Sequence, residues 1–360
     1  MSPWLHFRTH LLAWYRPERR PMPWKAEPAA YRVWLSEIIL QQTRVEQGRA
    51  YYERFVETYP GVADLAAAAD DDVMKLWEGL GYYSRARNLL KTARMVEREH
   101  GGRFPDTYAE LLKLPGVGPY TAAAIASFAF DRQVAVLDGN VYRVLSRYAG
   151  DATPIDTGSG RKHFQAMVDR ALGDARARLF NQAIMDFGAL VCTPKRADCP
   201  NCPLREECVA LARGEVYDLP KKEKKLKRRD RYFHFLVLDD GSGRRVIGQR
   251  TAADIWQDLY QFPLIEASSP DVGTGDLPSL PDWPAWLPAA ELQFQRRSEA
   301  YVQQLTHQRI HAIFHRFEWT LMPGTLPEQR IVQNKMLENF AFPKVINRFL
   351  ADKRLLLDLF

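Results

Sequence analysis

All four cysteines of this 360-residue chain, Cys192, Cys199, Cys202 and Cys208, fall in one run spaced C-x6-C-x2-C-x5-C, directly after a helical stretch. Four thiolates that close together can wrap one compact tetrahedral site, and such a site suits either zinc or a [4Fe–4S] cluster. Zinc ribbons usually carry two separated C-x2-C pairs, which this spacing lacks. Two disulfides are the weakest reading, because the chain does not open on a secretory signal: Trp4, His6, Arg8 and His10 interrupt any apolar run. The most apolar stretch, residues 122–130, is too short to span a bilayer. A soluble, cytoplasmic protein without membrane contact is expected.

From Trp4 to Ala212 apolar residues recur at three- and four-residue spacing. Helices are expected over 31–59 (with an interruption), 73–80, 85–100, 108–114, 120–130, 141–148, 161–172 and 180–191, with Gly and Pro breaks between them. The net charge is +6, and Lys221–Arg231 (KKEKKLKRRDR) holds eight cations against two anions, so this one stretch equals the whole surplus. Such a balance favours a polyanionic partner. Beyond it the texture changes. Residues 232–238 (YFHFLVL) predict a strand, 239–243 a turn, 244–249 a returning strand, 311–321 another strand and 335–340 the start of a helical ending. Residues 267–287, rich in Ser, Pro, Gly and Asp, predict a long loop. The expected organisation is a mainly α domain over 1–217, a basic linker over 218–231 and an α+β domain over 232–360.

The segment LPGVGPYT, residues 114–121, joins two of the expected helices. Gly116 and Gly118 permit a tight turn whose N–H groups point outward at a helix N-terminus, a geometry suited to gripping a phosphate without reading sequence. Alone, such a turn is more often a plain helix connection. Together with the cysteine run it resembles the helix–hairpin–helix and iron–sulfur loop of the endonuclease III superfamily, which includes the adenine glycosylases of the MutY family. That resemblance implies a helical glycosylase domain with one structural [4Fe–4S] cluster on the four cysteines, supporting a basic loop that here holds Lys195, Arg196 and Arg205. Members that cleave the DNA backbone carry a lysine nucleophile where this chain has Tyr120. The resemblance therefore implies hydrolysis of the base alone, with Tyr120 shaping the pocket.

Breaking an N-glycosidic bond requires a proton for the leaving base and shelter for the cationic sugar, work that two carboxyl groups in different environments can share. Glu37 has apolar helical neighbours, Val33, Trp34 and Leu40, so its carboxyl should be poorly solvated and keep a proton. Asp138 precedes Gly139-Asn140-Val141 and suits a helix N-cap, a position that also favours the ionised form. WLSEIILQQT around Glu37 and LDGNVYRV around Asp138 resemble adenine-glycosylase motifs, with Leu137 in place of a valine. In that family the glutamate protonates adenine and the aspartate steadies the oxocarbenium sugar, assisted by Asn140.

Adenine within a duplex must be rotated out before it can reach such a site. The resemblance assigns the filling of the gap to Gln42 and Tyr82, and the adenine pocket to Arg20, Trp24, Leu40, Tyr120 and Gln182. Ordinary packing is the competing role for each. The stretch Gly248–Pro263 resembles the Nudix-like recognition domain of these glycosylases, and no Glu-rich metal box occurs after residue 231, so no phosphohydrolase activity is expected. A Phe-Ser-His loop that meets oxidised guanine in that family is matched by Leu305-Thr306-His307, where Thr306 keeps the hydroxyl and His307 the ring but Leu305 departs from the aromatic.

The expected activity is monofunctional removal of adenine opposite 8-oxoguanine or guanine, by a monomer acting on double-stranded DNA. The rivals are a bifunctional glycosylase and lyase, opposed by Tyr120 and the second domain, and an iron–sulfur redox or sensor protein resting on DNA, opposed by Glu37 and Asp138 in their motifs.

Overall fold

A computed structural model describes residues 3–26, 28–223 and 228–352. Residues 224–227 of the basic stretch lie outside the described residues. The chain divides into two compact units: residues 1–68 with 88–225, and residues 69–87 with 226–360. The second unit thus takes in a short segment of the helical half.

The first unit is helical. The segment expected as one interrupted helix forms Ala30–Leu40 and Val45–Thr58, and at the break Gln42 takes a φ of 58°. Ala30–Leu40 packs on Pro119–Phe130, and Gly139–Ala149 packs on Ala177–Leu190. Phe7, Phe164, Phe180 and Phe187 are buried on Pro3–Trp14, Gly158–Leu172 and Ala177–Leu190, which pack on one another. Gly188 is needed for one close approach: a Cβ there would stand 2.7 Å from the Asn140 Cβ. No helix among the described residues is long and apolar enough to cross a membrane.

The second unit holds one mixed sheet. Strand β1 (Arg229–Asp239) pairs in parallel with β7 (Gln308–Glu318) along its full length and antiparallel with β4 (Leu264–Ala267). Phe233–Leu238 is buried throughout, His234 included, which explains a mostly apolar run where one exposed face would give alternation. The returning strand β2 (Arg244–Gln249) meets β1 only at Asp239 and Arg245; it pairs instead with β3 (Tyr260–Gln261) and β8 (Gln329–Gln333). Strands β5 (Gln293–Arg297) and β6 (Tyr301–Gln304) pair with β7. The segment expected as a long loop includes a 3-10 turn, Thr274–Ser279, and buries Leu277 and Leu287 in the core with Leu236, Val246 and Trp319. The expected helical ending starts as a 3-10 turn, Asn334–Asn339, and becomes α-helical at Lys344–Leu350.

Residues 69–87 belong to this unit through specific bonds. The Tyr260 hydroxyl donates to Asp71 at 2.9 Å. Lys75 donates to the Phe340 carbonyl at 3.2 Å, and Glu78 Oε1 accepts from Phe342 N at 2.9 Å and Asn347 Nδ2 at 2.8 Å. The helix here is Asp70–Leu76, earlier than the apolar spacing predicts, because Asp70, Asp71 and Asp72 suit the positive end of a first turn.

Candidate active site

A cavity of about 480 Å³ in the first unit gathers both predicted carboxyl groups. Glu37 is buried on Ala30–Leu40, as are Val33 and Trp34. Burial pushes its carboxyl up to about 7; the Tyr120 hydroxyl pulls the other way, donating to Oε2 at 2.7 Å, and Arg20 helps it, while the Asp138 charge adds to the rise. Burial also raises the Tyr120 phenol well above its ordinary value, so at neutral pH it is a hydrogen donor.

Asp138 is the N-cap of Gly139–Ala149, accepting from Val141 N at 2.8 Å. Its second oxygen accepts from Asn140 Nδ2, also at 2.8 Å. Burial raises the Asp138 carboxyl, opposing the cap expected to favour its charge, and these bonds together with Arg143 offset that rise in part. Arg143 fixes Asn140 in turn: Nη2 donates to Asn140 Oδ1 at 2.8 Å and to the Gly188 carbonyl at 2.6 Å, and Nε donates to the Cys192 carbonyl at 2.7 Å.

Arg20, Trp24, Leu40 and Gln182 line the same cavity, as does Gln42 at its exposed edge. Gln182 accepts from the Tyr15 hydroxyl at 2.7 Å. Two charged lining residues escape sequence reasoning: Lys25, and Asp186, which is 1% exposed. Asp186 falls four residues after Gln182 on the same helix, and that spacing was the available signal.

The hairpin lies between Tyr108–Leu111 and Pro119–Phe130. Gly116 has a φ of 73°, and a Cβ there would meet the Asn88 side chain at 2.7 Å, so both conformation and space demand glycine. Gly118 is an extended N-cap with open space around it, and both glycines are exposed. Val117 is buried and anchors the turn.

The four cysteines line one small cavity of about 30 Å³, with Arg147 beside them. Arg147 Nη1 donates to Cys192 Sγ at 3.4 Å and to the Thr193 carbonyl at 2.8 Å. Burial raises the thiols of Cys199, Cys208 and, to about 11, Cys202. Among the described residues no group of three or more His, Cys, Asp or Glu is arranged to hold a metal ion.

Tyr82, Thr306 and His307 line a different cavity, of about 690 Å³, within the second unit. Tyr82 is half-exposed and has a φ of 49°, sparsely populated for an aromatic residue. Arg85 lies 5.7 Å from its ring and donates to the Gly81 carbonyl at 3.0 Å. Trp256 and Leu305 supply apolar walls.

Comparison with known proteins finds one family match in each half of the chain. Residues 35–168 match the HhH-GPD superfamily base excision DNA repair protein, and residues 234–352 match the NUDIX domain. The chain is 32% identical over 312 residues to the adenine DNA glycosylase of Buchnera aphidicola subsp. Schizaphis graminum (strain Sg), covering 86% of this chain and 84% of that one. It is 46% identical over 228 residues to the adenine DNA glycosylase of Mus musculus, covering 59% of this chain and 44% of that protein. Among solved structures, a thermostable thymine-DNA glycosylase is similar at a TM-score of 0.54 and 28% identity, covering 59% of this chain and 98% of that chain.

Proposed function

Since the chain belongs to the adenine DNA glycosylase family and is a base excision DNA glycosylase, we propose that it removes adenine mispaired with 8-oxoguanine or guanine in duplex DNA. The observation that carries this reading is the Glu37 carboxyl, buried in a cavity, hydrogen-bonded by Tyr120 and raised to about 7. A carboxyl of that kind retains a proton near neutral pH and can pass it to a purine nitrogen. Tyr120 occupies one oxygen, which leaves the other to carry the proton. Asp138, held by Val141 N and Asn140, stands where a developing positive sugar would find a fixed carboxylate. The C–N bond breaks with its electron pair going to the protonated base, which departs neutral; water then adds to the sugar and its surplus proton passes to the Glu37 carboxylate left behind.

The base reaches this site by leaving the helix, because a stacked adenine cannot meet a buried acid. Gln42 and Tyr82 are the residues that fill the gap; both are exposed and both hold a left-handed backbone, a strain found where function rather than packing fixes a residue. The exposed N–H groups of the Gly116–Gly118 turn grip a phosphate. Thr306 and His307 meet the opposite base beside Tyr82.

The cysteine run holds a [4Fe–4S] cluster. Four thiols facing one cavity fit that group. A cluster bound by four protein thiolates supplies structure and no open coordination position. The reaction is hydrolytic without strand cleavage, since Tyr120 is no amine and Lys25, the amine lining the cavity, is bound to Asp186 at 2.5 Å.

The test is purine release by iron-loaded protein from duplexes with adenine opposite 8-oxoguanine, guanine or thymine. Release should be fastest from the first, slower from the second and absent from the third, with no borohydride-trapped adduct. Protein that frees no purine from any duplex would end this reading.

A further inference from the structure

Arg20 and Lys25 are the two cations lining the cavity, and both close on one carboxylate. Asp186 Oδ1 accepts from Arg20 Nη1 at 3.0 Å and Oδ2 from Lys25 Nζ at 2.5 Å, while Lys25 also donates to the Arg20 carbonyl at 3.3 Å. A carboxylate this deeply buried depends on such partners, and each cation is in turn committed to it.

The groups facing Glu37 come from each neighbouring element. Pro119–Phe130 brings Tyr120, the cap of Gly139–Ala149 brings Asp138, and the segment before Trp24 brings Arg20; Val45–Thr58 brings the apolar Val45 to the cavity. Arg20 already draws the Glu37 carboxyl toward its charged form, though burial outweighs it. A guanidinium free to pair with that carboxyl would take its proton away. Resting on the reading of Glu37 as the proton donor, we propose that Asp186 is a positioning residue that sequesters Arg20 and Lys25, so that neither pairs with Glu37 and the acid enters the reaction protonated. Asp186 touches no reacting atom; it acts through the two cations it holds.

The experiment is single-turnover adenine release from an adenine:8-oxoguanine duplex between pH 5 and 9, using the full chain loaded with its cluster. In Asp186→Asn the alkaline limb should fall by about half a pH unit, with release near and above neutral pH down about two- to threefold. Adding Arg20→Met to that variant should move the limb back up, to the wild-type position or beyond, which a merely structural defect in Asp186→Asn would not allow. Arg20→Met alone, which keeps the buried carboxylate paired with Lys25, should move the limb upward and serves if Asp186→Asn does not fold. An unmoved limb in Asp186→Asn, a double variant that stays with it, or an unmoved limb in Arg20→Met would overturn the proposal. Full-speed release by Glu37→Gln would instead overturn the reading of Glu37 beneath it.

Discussion

The Tyr82 hydroxyl lies 2.5 Å from the Thr306 hydroxyl, joining two loops 224 residues apart in the chain. If this pair presents one surface to the base opposite adenine, the two residues should be energetically coupled. Tyr82→Phe and Thr306→Val are each expected to lower the preference for 8-oxoguanine over guanine by roughly 3- to 10-fold, the range of one hydrogen bond. The double variant should be little worse than either alone. Release rates from the two duplexes measure this, and strictly additive losses would show that the hydroxyls act separately.

Glu37→Gln should cut adenine release by at least about 100-fold while duplex affinity changes little, the scale of a lost general acid. The same change should stabilise the fold above neutral pH. The Glu37 carboxyl sits higher in the folded protein than in the unfolded chain, so its cost is absent below about 4.5 and grows as pH rises through about 7. It amounts to a few kcal/mol at most, about 1.4 for each pH unit of displacement. Melting of the variant above the wild type at pH 8, with the gap closing by pH 5, is the expected pattern.

Tyr120→Phe removes a donor that favours the Glu37 carboxylate. Release should persist, and its alkaline limb should move upward. A limb that moves downward would mean that the phenol holds the proton on the acid.

Gly188→Ala places a methyl 2.7 Å from the Asn140 Cβ and 3.2 Å from its backbone. The two helices must separate there, at a cost of about 1–3 kcal/mol. Both thermal stability and release should fall, because Asn140 is also the residue that bonds Asp138. Unchanged release at full stability would show that the helix pair tolerates the shift.

Much of the acid site is legible in the primary structure because burial is written in local spacing. Val33, Trp34 and Leu40 surround Glu37 on its own helix, and Asp138 sits in front of a turn that wants a cap. Asp186, Lys25 and Arg20 are different: their meeting depends on which helix lies across the cavity, and no local pattern pairs positions about 160 residues apart. In the second unit, β1 shows itself as a buried apolar run, whereas β5 (QFQRR) is exposed along its length and offers no alternation to detect. The segment 267–287 hides its packing for a related reason. Leu277 and Leu287 are buried there, and Val272, Leu280, Trp283 and Trp286 pack against the same cluster, but they stand amid turn-forming residues without any period to announce them. The strand expected at 311–321 starts earlier, at Gln308, because its parallel register with β1 carries pairing back to Arg229.

Bonds from Asp71, Lys75 and Glu78 reach Tyr260, Phe340, Phe342 and Asn347, so residues 69–87 are folded with a half of the protein that they precede by well over a hundred positions. A chimera that swaps the carboxy-terminal portion between relatives at residue 230 would leave this segment facing a foreign surface. Grafts that carry it along, at the expense of a second and a third junction, should keep its polar partners satisfied. Thermal melting of matched chimeras with and without the transplanted segment would reveal which cut respects the architecture.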